Sequence, residues 1–187
     1  MNTSQFPSPS NSKHTRQTVI NSLCFQGMWF ATIYMASLKH STWAIVPPLI
    51  LSLYYLLQNH PFITVRDRAI FGGIGLSLGT ISELLFWYLN LFSPVNEPLF
   101  LIPLWLLGLW LALFMMMPLE LRSLLNRPVL AATLAFLSAP FSYISGAKLG
   151  AMVMNDHIVK TGLHVSIVWA FALYIAALLY QKIYNAD

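Results

Sequence analysis

Residues 99–117 read LFLIPLWLLGLWLALFMMM, nineteen consecutive positions without a charged side chain. As a helix this block spans about 28 Å at 1.5 Å per residue, close to the roughly 30 Å hydrocarbon core of a bilayer. A water-soluble helix would confine its apolar residues to one stripe, whereas here they fill the whole block. The stretch is therefore expected to be a membrane span.

Five further blocks share this character: 18–38, 42–58, 69–92, 128–152 and 163–181. Of the 187 residues 57% are hydrophobic and only 9% are charged, against roughly a quarter charged in a soluble domain. The expectation is an all-α polytopic bundle of about six transmembrane helices, with residues 17–187 forming one domain and no length left for a soluble one. The second block carries Pro47 and Pro48 and is expected to kink. Residues 1–16, rich in Ser, Asn and Pro, read as a disordered cytoplasmic tail. The first block is too long for a signal-peptide core and has no small-residue cleavage site, so it is expected to be retained.

The net charge of +4 does not point to nucleic acid, because the basic residues sit singly or in pairs at the ends of apolar blocks. They serve topology instead. Lys13, Arg16, Arg66, Arg68, Arg122, Arg127 and Lys182 fall on one side of the bundle, and Lys39 and Lys160 on the other. This bias puts both termini in the cytoplasm. Trp43, Trp87, Tyr88, Tyr180 and Tyr184, near block ends, fit interfacial belts. The single cysteine, Cys24, excludes an intrachain disulfide.

Two formally charged residues lie well inside apolar blocks, Glu83 and Lys148. An ionisable group in hydrocarbon costs a few kcal/mol, so each needs a partner, water or an escape route. By helical rise Glu83 lies about 22 Å beyond Arg68, and Lys148 about 31 Å beyond Arg127. The offset of about 9 Å can be bridged, because helical side chains lean back toward the N-terminus. An ion pair is one reading. The simpler one has Lys148 snorkelling outward and Glu83 protonated and bonded to a neighbouring helix.

Gly79 and Gly75 precede Glu83 by four and eight residues, with Ser82 and Asn90 flanking that face. The same pattern recurs in SYISGAKLGA (142–151), where Gly146 and Gly150 lie beside Ser142, Ser145 and Lys148, and Tyr143, Ser145 and Lys148 join Glu83 and Asn90 as the candidate intramembrane polar site. Small faces let helices approach closely, so the third and fifth spans are expected to pack on each other. A polar cavity between them is the functional alternative.

Ser145 and Lys148 spell S-x-x-K, and Lys160, Thr161 and Gly162 spell K-T-G. The soluble helix and distant strand that serine penicillin-binding chemistry requires are missing, so the match is accidental. Asp156, His157, His164 and Glu97 lack any zinc-ligand spacing, and Met115, Met116 and Met117 read as apolar filling. No metal and no cofactor is expected, since no phosphate loop, dinucleotide fingerprint or haem motif occurs.

QGMWFATIY (26–34), GGIGLSLGTISELL (72–85), PLWLLGLWLALF (103–114) followed by PLELRSLL (118–125), and APFSYISGAKLGA (139–151) together have an order and spacing that resemble the domain of unknown function 2878 family of bacterial membrane proteins. In that family an Asp usually stands where Glu83 does, and Arg often where Lys148 does. The resemblance implies a bacterial inner-membrane protein without an assigned activity. Through cyclopropane-fatty-acid-synthase-like lipid enzymes it also implies a part in membrane lipid modification or envelope stress.

Three functions remain open from the residues. The chain is a non-catalytic accessory protein, or a small permease or lipid-handling protein with a polar cavity at Glu83 and Lys148, or an intramembrane enzyme. The first is favoured, because each polar residue has a structural explanation. Membrane lipids are the expected partners, with a membrane-associated lipid-modifying enzyme and self-association both left open.

Overall fold

The computed structural model describes residues 11–38, 41–60, 63–95 and 102–184, and the apolar blocks within them are helical. In hydrocarbon a backbone must satisfy its own hydrogen bonds, and a helix does so within one segment. Helix α1 (Asn11–Ser37) begins well before residue 18, so residues 11–16, expected in the disordered tail, are helical. Residues 1–10 lie outside the described residues.

A short 3-10 turn (Ser41–Ile45) leads into α2 (Val46–Leu57). Pro47 and Pro48 occupy the first turn of α2, where their missing N–H groups have no helical acceptor to lose, so they start a helix and do not kink one. Helix α3 (Val65–Tyr88) opens before residue 69 because Thr64 and Asp67 form a reciprocal capping box. Thr64 Oγ1 accepts from the Asp67 amide at 3.2 Å, and the Asp67 carboxylate accepts from the Thr64 amide at 2.8 Å.

Helix α4 (Leu104–Glu120) continues through Pro118 beyond the expected end at Met117. The loop after it contains the short α5 (Arg122–Leu125). Then come α6 (Pro128–Lys148) and α7 (Ile158–Tyr184). Where the third and fifth blocks were expected to end, two short strands stand: β1 (Phe92–Pro94) and β2 (Met152–Met154) form an antiparallel pair, Phe92 opposite Met154. Gly150, at φ +86°, turns the chain out of α6 before β2. The carbonyls released at the two helix ends are taken up in the turns, Leu91 N–H donating to Phe86 O and Ala151 N–H to Gly146 O, both at 3.0 Å.

By length and apolar composition α3, α6 and α7 can each cross a membrane, and α2 and α4 are shorter apolar helices. The chain is a membrane protein of the all-α class.

The helices pack up and down in sequence-adjacent pairs, α3 on α4 and α6 on α7, with α1 and α2 against α4. This corrects the expected pairing of the third and fifth spans. Gly75 and Gly79 are indeed an approach face, but Phe114 and Trp110 of α4 fill it. A short connection makes neighbours of consecutive antiparallel helices, and the large α4 side chains fit the glycine groove. Gly146 contacts Ile33 and Met152, and Gly150 lies in the turn after α6 and not on a helix face. Tyr180 and Tyr184 are not an interfacial belt: both pack on Phe71 inside the bundle, whereas Trp43 and Tyr88 are exposed.

Candidate functional site

Gly79 positions the site. Trp110 lies against it so closely that a Cβ there would sit 2.5 Å from the indole Cγ. One turn further along the same face of α3 is Glu83, 6% exposed. The indole of Trp110 therefore reaches it, and Nε1 donates to Glu83 Oε1 at 3.0 Å. The Tyr143 hydroxyl, from α6, donates to the same oxygen. Three helices thus converge on one carboxyl oxygen.

Aromatic rings enclose this junction. Trp110 stacks on Trp169 of α7 with centroids 3.9 Å apart and planes at 18°. Phe86 meets Tyr143 edge-on at 5.4 Å, and Phe92 lies tilted against it at the same distance. Such contacts hold the phenol in one orientation.

The other candidates lie elsewhere. Lys148 ends α6, exposed, with no ion pair or hydrogen bond among the described residues. Ser145 is likewise exposed and makes no hydrogen bond to Lys148. Asn90, expected on the Glu83 face, stands in the turn after α3 at φ 51° and accepts from Asn155 Nδ2 at 2.9 Å. That bond, with a second from Asn155 to Ser93 Oγ at 2.7 Å, pins the loops flanking the ladder. Asp156 pairs with Lys160, and Glu97 lies outside the described residues. Because Lys148 has no partner to lose, Lys148→Met is expected to change the thermal midpoint of the purified protein by no more than about 0.5 kcal/mol equivalent.

A polar cluster at the other end of the bundle was not foreseen. Asn21, fully buried, donates to the Glu120 carboxylate and accepts from Gln17 Nε2 at 3.1 Å. Arg68, 3% exposed, donates to the carbonyls of Tyr55 (2.7 Å), Ile63 (3.2 Å) and Gln58. It closes the C-terminal end of α2, where free carbonyls favour a cation. The i,i+4 spacing of Gln17 and Asn21 was the available signal for this face.

Beside the junction is a cavity of about 340 Å³ between α1, α4, α6 and α7. It follows α4 from Trp105 to Leu121, about 24 Å by helical rise. Trp29, Leu109, Leu134, Leu173 and Trp169 are among its apolar walls, and Ser138, Ser142 and Tyr143 among its few polar ones. A second hollow of about 30 Å³ also borders the junction, lined by Glu83, Tyr143, Trp105 and Phe92 among others. That is room for a water molecule. Tyr143 walls both spaces, as do Trp105, Leu106 and Met152, and the lining of each is mostly apolar.

A family model described as Protein of unknown function (DUF2878) matches residues 18–175. No curated protein and no solved structure matches the chain.

Proposed function

The chain belongs to the family of the protein of unknown function DUF2878, and from that premise we propose that it is a six-span lipid-handling protein of the bacterial inner membrane. The long apolar cavity carries this reading. Its volume of about 340 Å³ lies in the range of small-ligand sites. Its length along α4 suits an extended aliphatic chain better than a compact solute. Its lining is mostly apolar, and lipid chains are the apolar ligands a membrane supplies.

Residues 17–187 form one domain with both termini cytoplasmic. Supporting this, the up-and-down packing gathers Arg66, Arg68, Arg122 and Lys182 toward one end of the bundle, as the positive-inside rule requires. Holding a lipid chain needs no reaction, so the protein acts as a non-catalytic accessory to a membrane-associated lipid-modifying enzyme. The Tyr143 phenol at the cavity wall, held by the Glu83 carboxyl behind it, fixes its shape.

The test is the lipid that survives purification. After exhaustive detergent exchange, the wild-type protein should retain about one lipid per chain, measured by mass spectrometry of the intact complex. Ser138 lines the cavity with an exposed side chain, so Ser138→Trp should fill the slot without disturbing the packed core. That variant should lose the lipid while keeping its helical content. Equal retention by both proteins would sink the proposal.

A further inference from the structure

Resting on that reading, we infer that the cavity takes one acyl chain of an anionic phospholipid, admitted sideways between α1 and α6 with its phosphate held at Arg127.

Exposure locates the mouth. Of the residues lining the cavity, Gln26, Leu134, Ser138 and Ser142 are exposed, and all four belong to α1 or α6. The walls from α4 and α7 are buried or half-buried. Helix α1 packs on α2 and α4, and α6 packs on α7, so each edge of the mouth has its own support. The edges meet at one end, where Ile33 of α1 lies against Gly146 of α6 beside Met152. From Gly146 back to Arg127 the chain of α6 descends about 28 Å, and the cavity follows it as far as Ala131. A lipid chain can thus slip in from the bilayer without parting a packed helix pair.

An apolar chain gains nothing by leaving other lipid tails for an apolar slot, because both surroundings are equally oily. Preference must come from the headgroup. Arg127 stands where the headgroup would emerge. Its amide donates to Leu124 O at 2.8 Å and its carbonyl accepts from the Ala131 amide at 2.9 Å, so its backbone joins two residues of the cavity lining. Its side chain is exposed and makes no ion pair or helix-capping bond among the described residues. On the opposite edge Arg16 is exposed on α1, nine residues before Phe25 of the lining. Arg122 is engaged with the Tyr180 hydroxyl. Glu120, the acid closest to Arg127 in the chain, is bound by Asn21 and does not line the cavity.

These charges set the class of lipid. A guanidinium fork matches two phosphate oxygens, and that of Arg127 has its donors to offer. A zwitterionic headgroup brings a cation of its own to a rim that already holds arginines. An anionic one brings none.

The experiment uses the full chain, stripped of lipid in detergent and saturated with an equimolar mixture of phosphatidylglycerol and phosphatidylcholine of identical acyl chains. Native mass spectrometry counts each lipid bound. The wild type should favour phosphatidylglycerol on the order of fivefold, the factor that one basic residue contributes toward anionic lipid. Arg127→Gln should bring the ratio close to unity while lipid remains bound. Ser123→Glu puts a carboxylate at an exposed position four residues before Arg127, where it can pair the guanidinium. It should lower the ratio too, and it decides if Arg127→Gln does not fold. Arg66→Gln, on α3, which contributes nothing to this cavity, should leave the ratio unchanged. Equal binding of the two lipids, a preference that survives loss or pairing of Arg127, or one that Arg66→Gln also erases would overturn the inference and leave the lipid-handling reading intact. So would a preference that persists in Ser138→Trp, since the lipid would then lie outside the slot. Retention of neither lipid by the wild type would overturn both.

Discussion

Replacing Glu83 by alanine is expected to lower the unfolding free energy by about 2–4 kcal/mol, whereas replacement by glutamine should cost less than about 1 kcal/mol. The asymmetry comes from one detail: Trp110 Nε1 and the Tyr143 hydroxyl both donate to the same carboxyl oxygen. A glutamine carbonyl in that place can accept both bonds. Alanine leaves two buried donors without an acceptor, each costing about 1–3 kcal/mol. The lower part of that range applies, because hydrogen bonds between membrane helices average nearer to 0.6 kcal/mol, and a small cavity adds to the loss. Thermal unfolding of the purified protein, followed by circular dichroism, measures the difference. If glutamine proves as damaging as alanine, the carboxyl is needed for its proton or charge. The junction would then be more than a structural lock.

Gly79→Ala and Gly75→Ala should each cost at least about 1–3 kcal/mol, the usual penalty of forcing a methyl into a packed interior. At Gly79 the new Cβ would lie 2.5 Å from Trp110 Cγ, and at Gly75 2.5 Å from Phe114 Cβ. Neither neighbour has a flexible tip to withdraw. Both are ring-bearing side chains buried between α3 and α4. Gly73 is the control, for a Cβ there meets nothing within 4 Å. Gly73→Ala should be neutral or slightly stabilising, as alanine favours helix. Displacing Trp110 also draws its N–H away from Glu83. Gly79→Ala and Glu83→Ala should therefore combine to less than the sum of their separate losses, since contacting residues do not add. Full additivity in a double-mutant cycle would separate the glycine groove from the carboxyl it is argued to serve.

Glu83 itself was legible in the sequence, since a lone carboxyl beyond two glycines in an apolar block is conspicuous. Its partners were not. Trp110 belongs to a block whose tryptophans and leucines all read alike, and nothing in that run marks the indole that turns inward. Tyr143 stood among the candidate polar residues with Glu83, but nothing in the sequence singled out its bond to the carboxyl. The expected packing of the third span on the fifth likewise went astray. A helix face rich in glycine announces a close approach, but not which neighbour makes it.

Hydrophobic blocks of bilayer length, separated by turns that carry charge, were enough to establish helices and a membrane protein. These are local consequences: each helix satisfies its own backbone, and lysine and arginine avoid hydrocarbon one residue at a time. The capping box at Thr64 and Asp67 is local too and could have been read. The pairing of α3 with α4, the three-helix junction on one oxygen, the ladder between Phe92–Pro94 and Met152–Met154 and the slot beside Trp169 belong to the assembled bundle. In a bilayer, oiliness does not tell one apolar face from another, so packing shape and a few hydrogen bonds choose among them. Shape and bond geometry arise only when distant segments meet.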